Sequence, residues 1–330
     1  VIALPIIDLS PFVRGHGDRA KVGAQIAAAC ADAGFFYVVG HGVDETLQAR
    51  LEALSRVFFA QDVGYKMRLH MSRGGRAWRG YFPVGAELTS GRPDAKEGLY
   101  FGAELDNDHP LVRVGTPLHG PNLFPEIDGF RETVLAYLTA MTQLGHTLMA
   151  AIARSLDLEE SFFHTRYTGD PLVLFRIFHY PPDDGSAAWG VGEHTDYGVL
   201  TILKQDDAGG LEVKSPRGWI AAPPVPGSFV CNIGDMLDRM TGGRYRSTPH
   251  RVVNRSGRGR LSFPFFFDPN FHAAVEPLPL CPGSLPVDDR HERWDGASVH
   301  EWSGTYGEYL IAKVSKVFPQ LSGQVLRHSL

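Results

Sequence analysis

Two side-chain pairs carry the spacing of neighbours on an extended strand. His194 and Asp196 form an H-x-D, and in extended backbone residues i and i+2 point to one face, so imidazole and carboxylate can converge on one metal ion. Alone the pair says little. A chain with 14 histidines produces an H-x-D by chance, and His16-Gly17-Asp18 is a second copy, read more simply as a loop ending in a helix cap. The company of the first copy changes the odds. His250 stands in Ser247-Thr248-Pro249-His250-Arg251-Val252, beside a further expected strand, and Arg260-Leu261-Ser262 follows as another i, i+2 pair. Two imidazoles and a carboxylate on one face suit Fe(II) and leave three positions open for a chelating cosubstrate and O₂. Arg260 and Ser262 would offer a guanidinium fork and a hydroxyl to a carboxylate one short dicarboxylic acid away from the metal.

These residues need elements to hold them. From Asp18 to Gly34, Val22, Ile26, Ala29 and Ala33 recur at helical spacing, with Asp18 as N-cap and Gly34 as the left-handed stop. A buried strand is expected at Phe35–Val39, then a helix from Asp44 with Leu47, Leu51, Leu54 and Phe58 inward. From Gly129 to Leu156 the steps between Val134, Leu138, Met141, Leu144, Leu148 and Ile152 mark one long amphipathic helix. Met71 to Gly120 is irregular, rich in Gly, Arg and aromatics, and reads as functional loop. After Asp170 the texture becomes short β-rich runs: Leu172–Phe178, Val199–Leu203, Gly210–Val213, Ser228–Ile233 and Leu261–Phe267. Pro181-Pro182-Asp183-Asp184-Gly185, Ala208-Gly209-Gly210 and Pro223-Pro224 punctuate them. That pattern suits an antiparallel double sheet rather than βαβ units. A last helix from Ser303 to Phe318 presents Tyr306, Leu310, Val314 and Val317.

Composition narrows the function classes. Hydrophobic residues make up 43% of the 330, ample for a packed core. With 32 basic against 37 acidic side chains the chain is mildly acidic, so a broad basic face for nucleic acid is not expected. Cys30, Cys231 and Cys281 are too sparse for a disulfide frame and read as reduced thiols of a cytoplasmic protein. No apolar run reaches membrane-spanning length, and residues Val1 to Ser10 do not have the pattern of a signal peptide.

Several runs together resemble a known family. Leu4-Pro5-Ile6-Ile7-Asp8-Leu9, Gly34-Phe35-Phe36-Tyr37-Val38-Val39-Gly40-His41-Gly42, the run from His194 to Thr201, the run from Cys231 to Leu237 and the run from Arg260 to Pro269 stand in the order found in the non-haem Fe(II)/2-oxoglutarate-dependent oxygenases of the isopenicillin N synthase-like branch. The resemblance spans nearly the whole chain. It implies an α+β fold with a double-stranded β-helix (jelly roll) braced by N-terminal and C-terminal helices. The expected segments are 1–120 as an N-terminal region of helices and substrate-side loops, 121–170 as a bracing helix, 171–270 as the oxygenase core and 271–330 as a C-terminal extension and helix. It implies His194, Asp196 and His250 as iron ligands, Arg260 and Ser262 as the clamp for 2-oxoglutarate, and Tyr180 as a hydroxyl reaching the cosubstrate, with Tyr180 equally readable as the end of a strand. Phe178 stands where relatives often carry Asn. The iron centre itself would do the chemistry, with no separate acid or base. Asn232 and Asp235 read as turn residues and Cys231 as core.

Oxidation, most simply hydroxylation, of a C–H bond in a small molecule is the implied reaction, with 2-oxoglutarate and O₂ consumed and succinate and CO₂ released. An oxidase of the isopenicillin N synthase type, needing no keto acid, shares every residue named. A jelly-roll binding protein with a vestigial metal site is the reading from another class, and the intact triad argues against it. Arg68, Arg73, Arg76 and Arg79 cluster with Trp78, Tyr81 and Phe82, which would make a mouth for an anion with an apolar body, although most of these arginines read as solvated. Arg79 is the expected substrate contact among them, because Arg79-Gly80-Tyr81-Phe82 resembles the segment that reaches substrate in isopenicillin N synthase. Phe267 is expected to wall the pocket or to pack in the core.

Overall fold

The computed structural model describes residues 4–182, 189–215, 218–278, 289–319 and 323. Cys281 and the tip of the turn at Asp183-Asp184-Gly185 lie outside the described residues. Twelve strands are present among them: β1 Ile6–Asp8, β2 Phe35–Val39, β3 Gly80–Phe82, β4 Glu97–Gly102, β5 Leu172–Tyr180, β6 Val191–His194, β7 Leu200–Gln205, β8 Leu211–Ser215, β9 Gly218–Ala221, β10 Phe229–Ile233, β11 His250–Val252 and β12 Arg260–Asp268. They form an eight-stranded sheet in the order β1-β2-β10-β7-β12-β5-β4-β3 and a four-stranded sheet in the order β6-β11-β8-β9. Every pairing is antiparallel except β1 with β2. The architecture is the α+β jelly roll that the β-rich texture after Asp170 predicts.

Helix ends follow local chemistry. Asp18 caps Arg19–Asp32 by accepting from the Lys21 amide, and Asp44 caps Glu45–Phe59 by accepting from the Thr46 amide. Gly34 has φ +65° with the Arg246 carbonyl packed where a Cβ would stand, so a side chain there would be strained and crowded. Helix Phe130–Ser155 buries all six residues of its expected stripe and lies against β7 and β12 on the outside of the large sheet. Phe267 meets it at Gly145, where an added Cβ would run into the ring.

The segment from Met71 to Gly120 departs from the loop expectation. It supplies β3 and β4 to the edge of the large sheet, and all six residues of β4 are buried. Their aromatic residues hide the strands in a window that Gly and Arg make look irregular. Trp78, Tyr81 and Phe82 belong to this core rather than to a mouth, whereas Arg68 and Arg73 are exposed.

The C-terminal helix Tyr306–Val317 starts with a capping box between Thr305 and Glu308 and is tied to the sheets by buried polar contacts. Tyr309 donates to Asp235 Oδ2 at 2.7 Å and Tyr306 to Asp268 Oδ2 at 2.5 Å. Arg293, buried just upstream, bridges Asp235, Asp238 and Asp289. Asp235 is therefore an anchor for the chain end, with more to do than close a turn. No helix among the described residues is long and apolar enough to cross a membrane.

Candidate metal centre and cosubstrate pocket

His194 ends β6 and His250 opens β11, and the two stand opposite each other in the antiparallel pair with ring centroids 4.3 Å apart. Each Nδ1 is occupied by a backbone carbonyl, that of Gly192 for His194 at 2.8 Å and that of Thr248 for His250 at 3.2 Å. A neutral ring donating from Nδ1 turns its Nε2 lone pair outward, as a metal ligand requires. Both Nε2 atoms face Asp196 Oδ1, at 3.8 and 3.7 Å, and one ligand atom from each residue lies within 4.8 Å of the others. Burial, reinforced by the neighbouring His250, pushes His194 down to about 4, so its ring is neutral near pH 7. Burial would raise Asp196, but the two imidazoles and the hydrogen bonds from Asn232 and Thr201 outweigh it and hold the carboxyl ionised.

Those two hydrogen bonds shape the ligand set. Thr201 Oγ1 and Asn232 Nδ2 both donate to Asp196 Oδ2, at 2.6 and 2.7 Å, from directly opposite positions on β7 and β10. Only Oδ1 is left for a metal. Two neutral nitrogens and one hard oxygen on a single face fit Fe(II) with open positions.

A cavity between the sheets contains this face. At one end stands Arg260, 1% exposed. Its Nε donates to the Gly209 carbonyl, its Nη2 reaches Gln205 Oε1 at 3.4 Å, and the guanidinium lies over the Tyr180 ring at 4.7 Å. Its Nη1 has no hydrogen-bond partner, and no carboxylate among the described residues pairs with it. Ser262 Oγ, on the same face, donates to the Tyr180 hydroxyl at 3.4 Å. A buried guanidinium with a spare N–H beside two hydroxyls is built to receive an anion.

Asp268, the acid nearest in sequence, neither faces solvent nor pairs with Arg260. Arg260 is opposite Tyr180 and Asp268 opposite Leu172, which puts them roughly 26 Å apart along β12. Burial pushes the Asp268 carboxyl up to about 7, against the hydrogen bond from Tyr306 that lowers it. A raised folded-state value means that Asp268 contributes fully at low pH and that stability is lost as pH rises from about 4 through 7. Asp268→Asn, which can still accept from Tyr306, is expected to gain on the wild type as pH rises, its advantage at pH 8 exceeding that at pH 5 by on the order of a few kcal/mol. Urea unfolding at the two pH values measures this, and an equal effect at both would refute it.

A 2OG-Fe(II) oxygenase superfamily model matches residues 170–269, and a model described as non-haem dioxygenase in morphine synthesis N-terminal matches residues 4–127. A Dictyostelium discoideum protein named probable iron/ascorbate oxidoreductase is 52% identical over 98% of this chain and 97% of its own length. The chain belongs to the 2OG-Fe(II) oxygenase superfamily. A Dictyostelium discoideum 1-aminocyclopropane-1-carboxylate oxidase is 40% identical to this oxygenase, covering 96% of the chain and 95% of the relative. A full-length Neurospora crassa protein, crystallised in complex with alpha-KG and thymine, superposes with a TM-score of 0.78 at 28% identity, covering 94% of this chain and 96% of the other. The oxygenase is accordingly an oxidoreductase that uses Fe(II), 2-oxoglutarate and O₂.

Two expected site residues lie elsewhere in the oxygenase. Arg79 is 2% exposed, donates to the Leu118 carbonyl at 2.8 Å and lines a separate cleft with His119, Asp170 and Asn270. Its position just before β3, at the sheet edge remote from the triad, keeps it out of the metal cavity. Phe267 does not wall the cavity either. On β12 the side chains of Arg260, Ser262, Pro264, Phe266 and Asp268 line it, so Phe267 points to the opposite face and packs on Gly145 and His146. Phe267→Ala is expected to destabilise the fold by about 3–5 kcal/mol while leaving iron and 2-oxoglutarate affinities unchanged. Denaturant melts beside binding titrations check this, and a wild-type melt with weakened ligand binding would return Phe267 to the wall.

Counting by twos from Arg260 would have found Phe266. Asn232 and Thr201 were harder to see, because their role rests on cross-strand register. Glu87, Lys96 and Arg176 also line the cavity, the first two from the segment read as loop, and so do Tyr306, Leu310 and Val317 of the C-terminal helix.

Proposed function

We propose that the chain hydroxylates a C–H bond of a small, carboxylate-bearing molecule with an apolar body, coupling this to conversion of 2-oxoglutarate to succinate and CO₂. His194, Asp196 and His250 hold the iron. Arg260 and Ser262, with Tyr180 beside them, hold the distal carboxylate of 2-oxoglutarate. The observation that carries the cosubstrate assignment is the unpartnered Nη1 of a fully buried Arg260 next to Ser262 and Tyr180. The bound iron supplies activation of O₂ for the attack on the C–H bond. The protein aims both imidazoles through backbone carbonyls on Nδ1, restricts Asp196 to one oxygen, and encloses the reacting centre between two sheets. The carboxylate in the substrate class draws support from the relative named for 1-aminocyclopropane-1-carboxylate.

Succinate release, assayed with and without 2-oxoglutarate across candidate substrates, tests the reading. Succinate formed in step with an oxidised product supports it. An oxidised product formed with O₂ and no keto acid would instead support an oxidase in which the Arg260–Ser262 pair takes the substrate's own carboxylate.

A further inference from the structure

Three cations line the cavity among the described residues: Lys96, Arg176 and Arg260. Arg260 closes the cosubstrate end. Lys96 is 2% exposed, and its Nζ is held between Glu87 Oε2 at 2.9 Å and Asp94 Oδ2 at 2.5 Å, so its charge is spent within the wall. Arg176 differs from both. Its side chain keeps 14% of its surface open, and its one ion contact is a single Glu87 oxygen at 3.5 Å, while the other oxygen of Glu87 belongs to Lys96. No hydrogen bond from its guanidinium to the described residues is formed.

Packing presets the orientation of Arg176. The Tyr100 ring, directly opposite on β4, lies 4.2 Å from the guanidinium carbon, and the Phe266 ring on β12 lies 4.9 Å from it. Rings against the guanidinium leave its N–H groups as the part free to bind, and a planar fork with uncommitted donors matches a carboxylate bidentately. Arg176 is four residues from Tyr180 on β5, roughly 13 Å along the strand from the cosubstrate clamp. The two residues therefore stand apart along the cavity. Leu174, Phe266, Leu310 and Val317 supply apolar surface in the same cavity.

We infer that Arg176 is the specificity-determining residue that takes the carboxylate of the substrate, with the apolar body of that substrate lying along Phe266 and the C-terminal helix. This rests on the oxygenase reading and assigns the substrate anchor to Arg176 in place of Arg79.

The test uses the full chain with Fe(II) and 2-oxoglutarate under anaerobic conditions. Calorimetric titration with straight-chain, branched and cyclic carboxylic and α-amino acids, each beside its own primary amide, reads the preference directly. At least one acid is expected to bind about tenfold or more tightly than its amide, because the amide cannot accept on both oxygens and carries no charge. Arg176→Gln is expected to abolish that preference, and Arg176→Lys to keep only part of it. Acids and amides binding alike to the wild type, no acid binding at all, or a preference surviving in Arg176→Gln would each overturn the assignment. The wild-type comparison stands even where a variant folds poorly. Failure of the oxygenase reading would show separately, as absence of 2-oxoglutarate binding before any substrate is added.

Discussion

Asp196→Ala is expected to weaken Fe(II) binding by more than ~100-fold and to abolish succinate formation. Oδ1 is the only carboxylate oxygen that the triad offers, since Oδ2 is occupied by Thr201 and Asn232. The alanine also strands the Asn232 amide, 3% exposed, and the Thr201 hydroxyl, which costs about 1–3 kcal/mol for an unsatisfied buried donor. The variant should therefore fold yet melt earlier. Asp196→Asn separates the two effects. Its carbonyl can still accept from Thr201 and Asn232, which turns the NH₂ group toward the metal position, where it has no lone pair to give. Stability should largely return while iron affinity does not. Iron titration and thermal melts of both variants decide the matter, and wild-type iron affinity in Asp196→Ala would remove Asp196 from the ligand set.

Arg260→Lys is expected to weaken 2-oxoglutarate binding roughly ten- to a hundredfold, the value of a charged hydrogen bond of ~1.5–3 kcal/mol, without altering iron affinity. Lysine keeps the charge, but its three N–H bonds diverge from one atom and cannot reproduce the planar fork that holds Gly209 and Gln205 and leaves Nη1 for the ligand. Anaerobic titration of 2-oxoglutarate with Fe(II) present compares the two proteins. Equal affinities would place the clamp elsewhere, and no binding even in the wild type would favour the oxidase.

How legible the site was in the sequence depended on how far apart its partners lie. His194 with Asp196 and Arg260 with Ser262 are local pairs, visible because an extended strand sends alternate side chains to one face. The same alternation excludes Phe267 from the cavity and admits Phe266, so parity along a single strand decides between the two readings of Phe267. Arg79 misled for a different reason: the resemblance of Arg79-Gly80-Tyr81-Phe82 to a substrate-reaching segment says nothing of orientation, and here the side chain is buried just before β3 and turned toward Leu118. Asn232 and Arg176 could not be read locally at all. One acts through the register of β10 against β7, the other through an aromatic clasp made by β4 and β12. The short strands β6 and β11 hold both histidines, yet four and three residues are too few to show a period. The long helix from Phe130 is plain because the six stripe positions from Val134 to Ile152 repeat over about five turns.

The C-terminal helix bears on the order in which a newly made chain becomes competent. Synthesis runs from the N-terminus, so His194, Asp196, His250, Arg260 and Ser262 can all be in place once β12 has left the ribosome. Leu310 and Val317, which wall the same cavity, follow later and are held there by Tyr306 and Tyr309 reaching back to Asp268 and Asp235. A chain that ends at β12 would carry the triad, Arg260 and Ser262 but lack Leu310 and Val317 of the cavity wall. The two tyrosine hydroxyls, one of them on the cavity wall itself, thus fasten the last part of that wall to the two sheets.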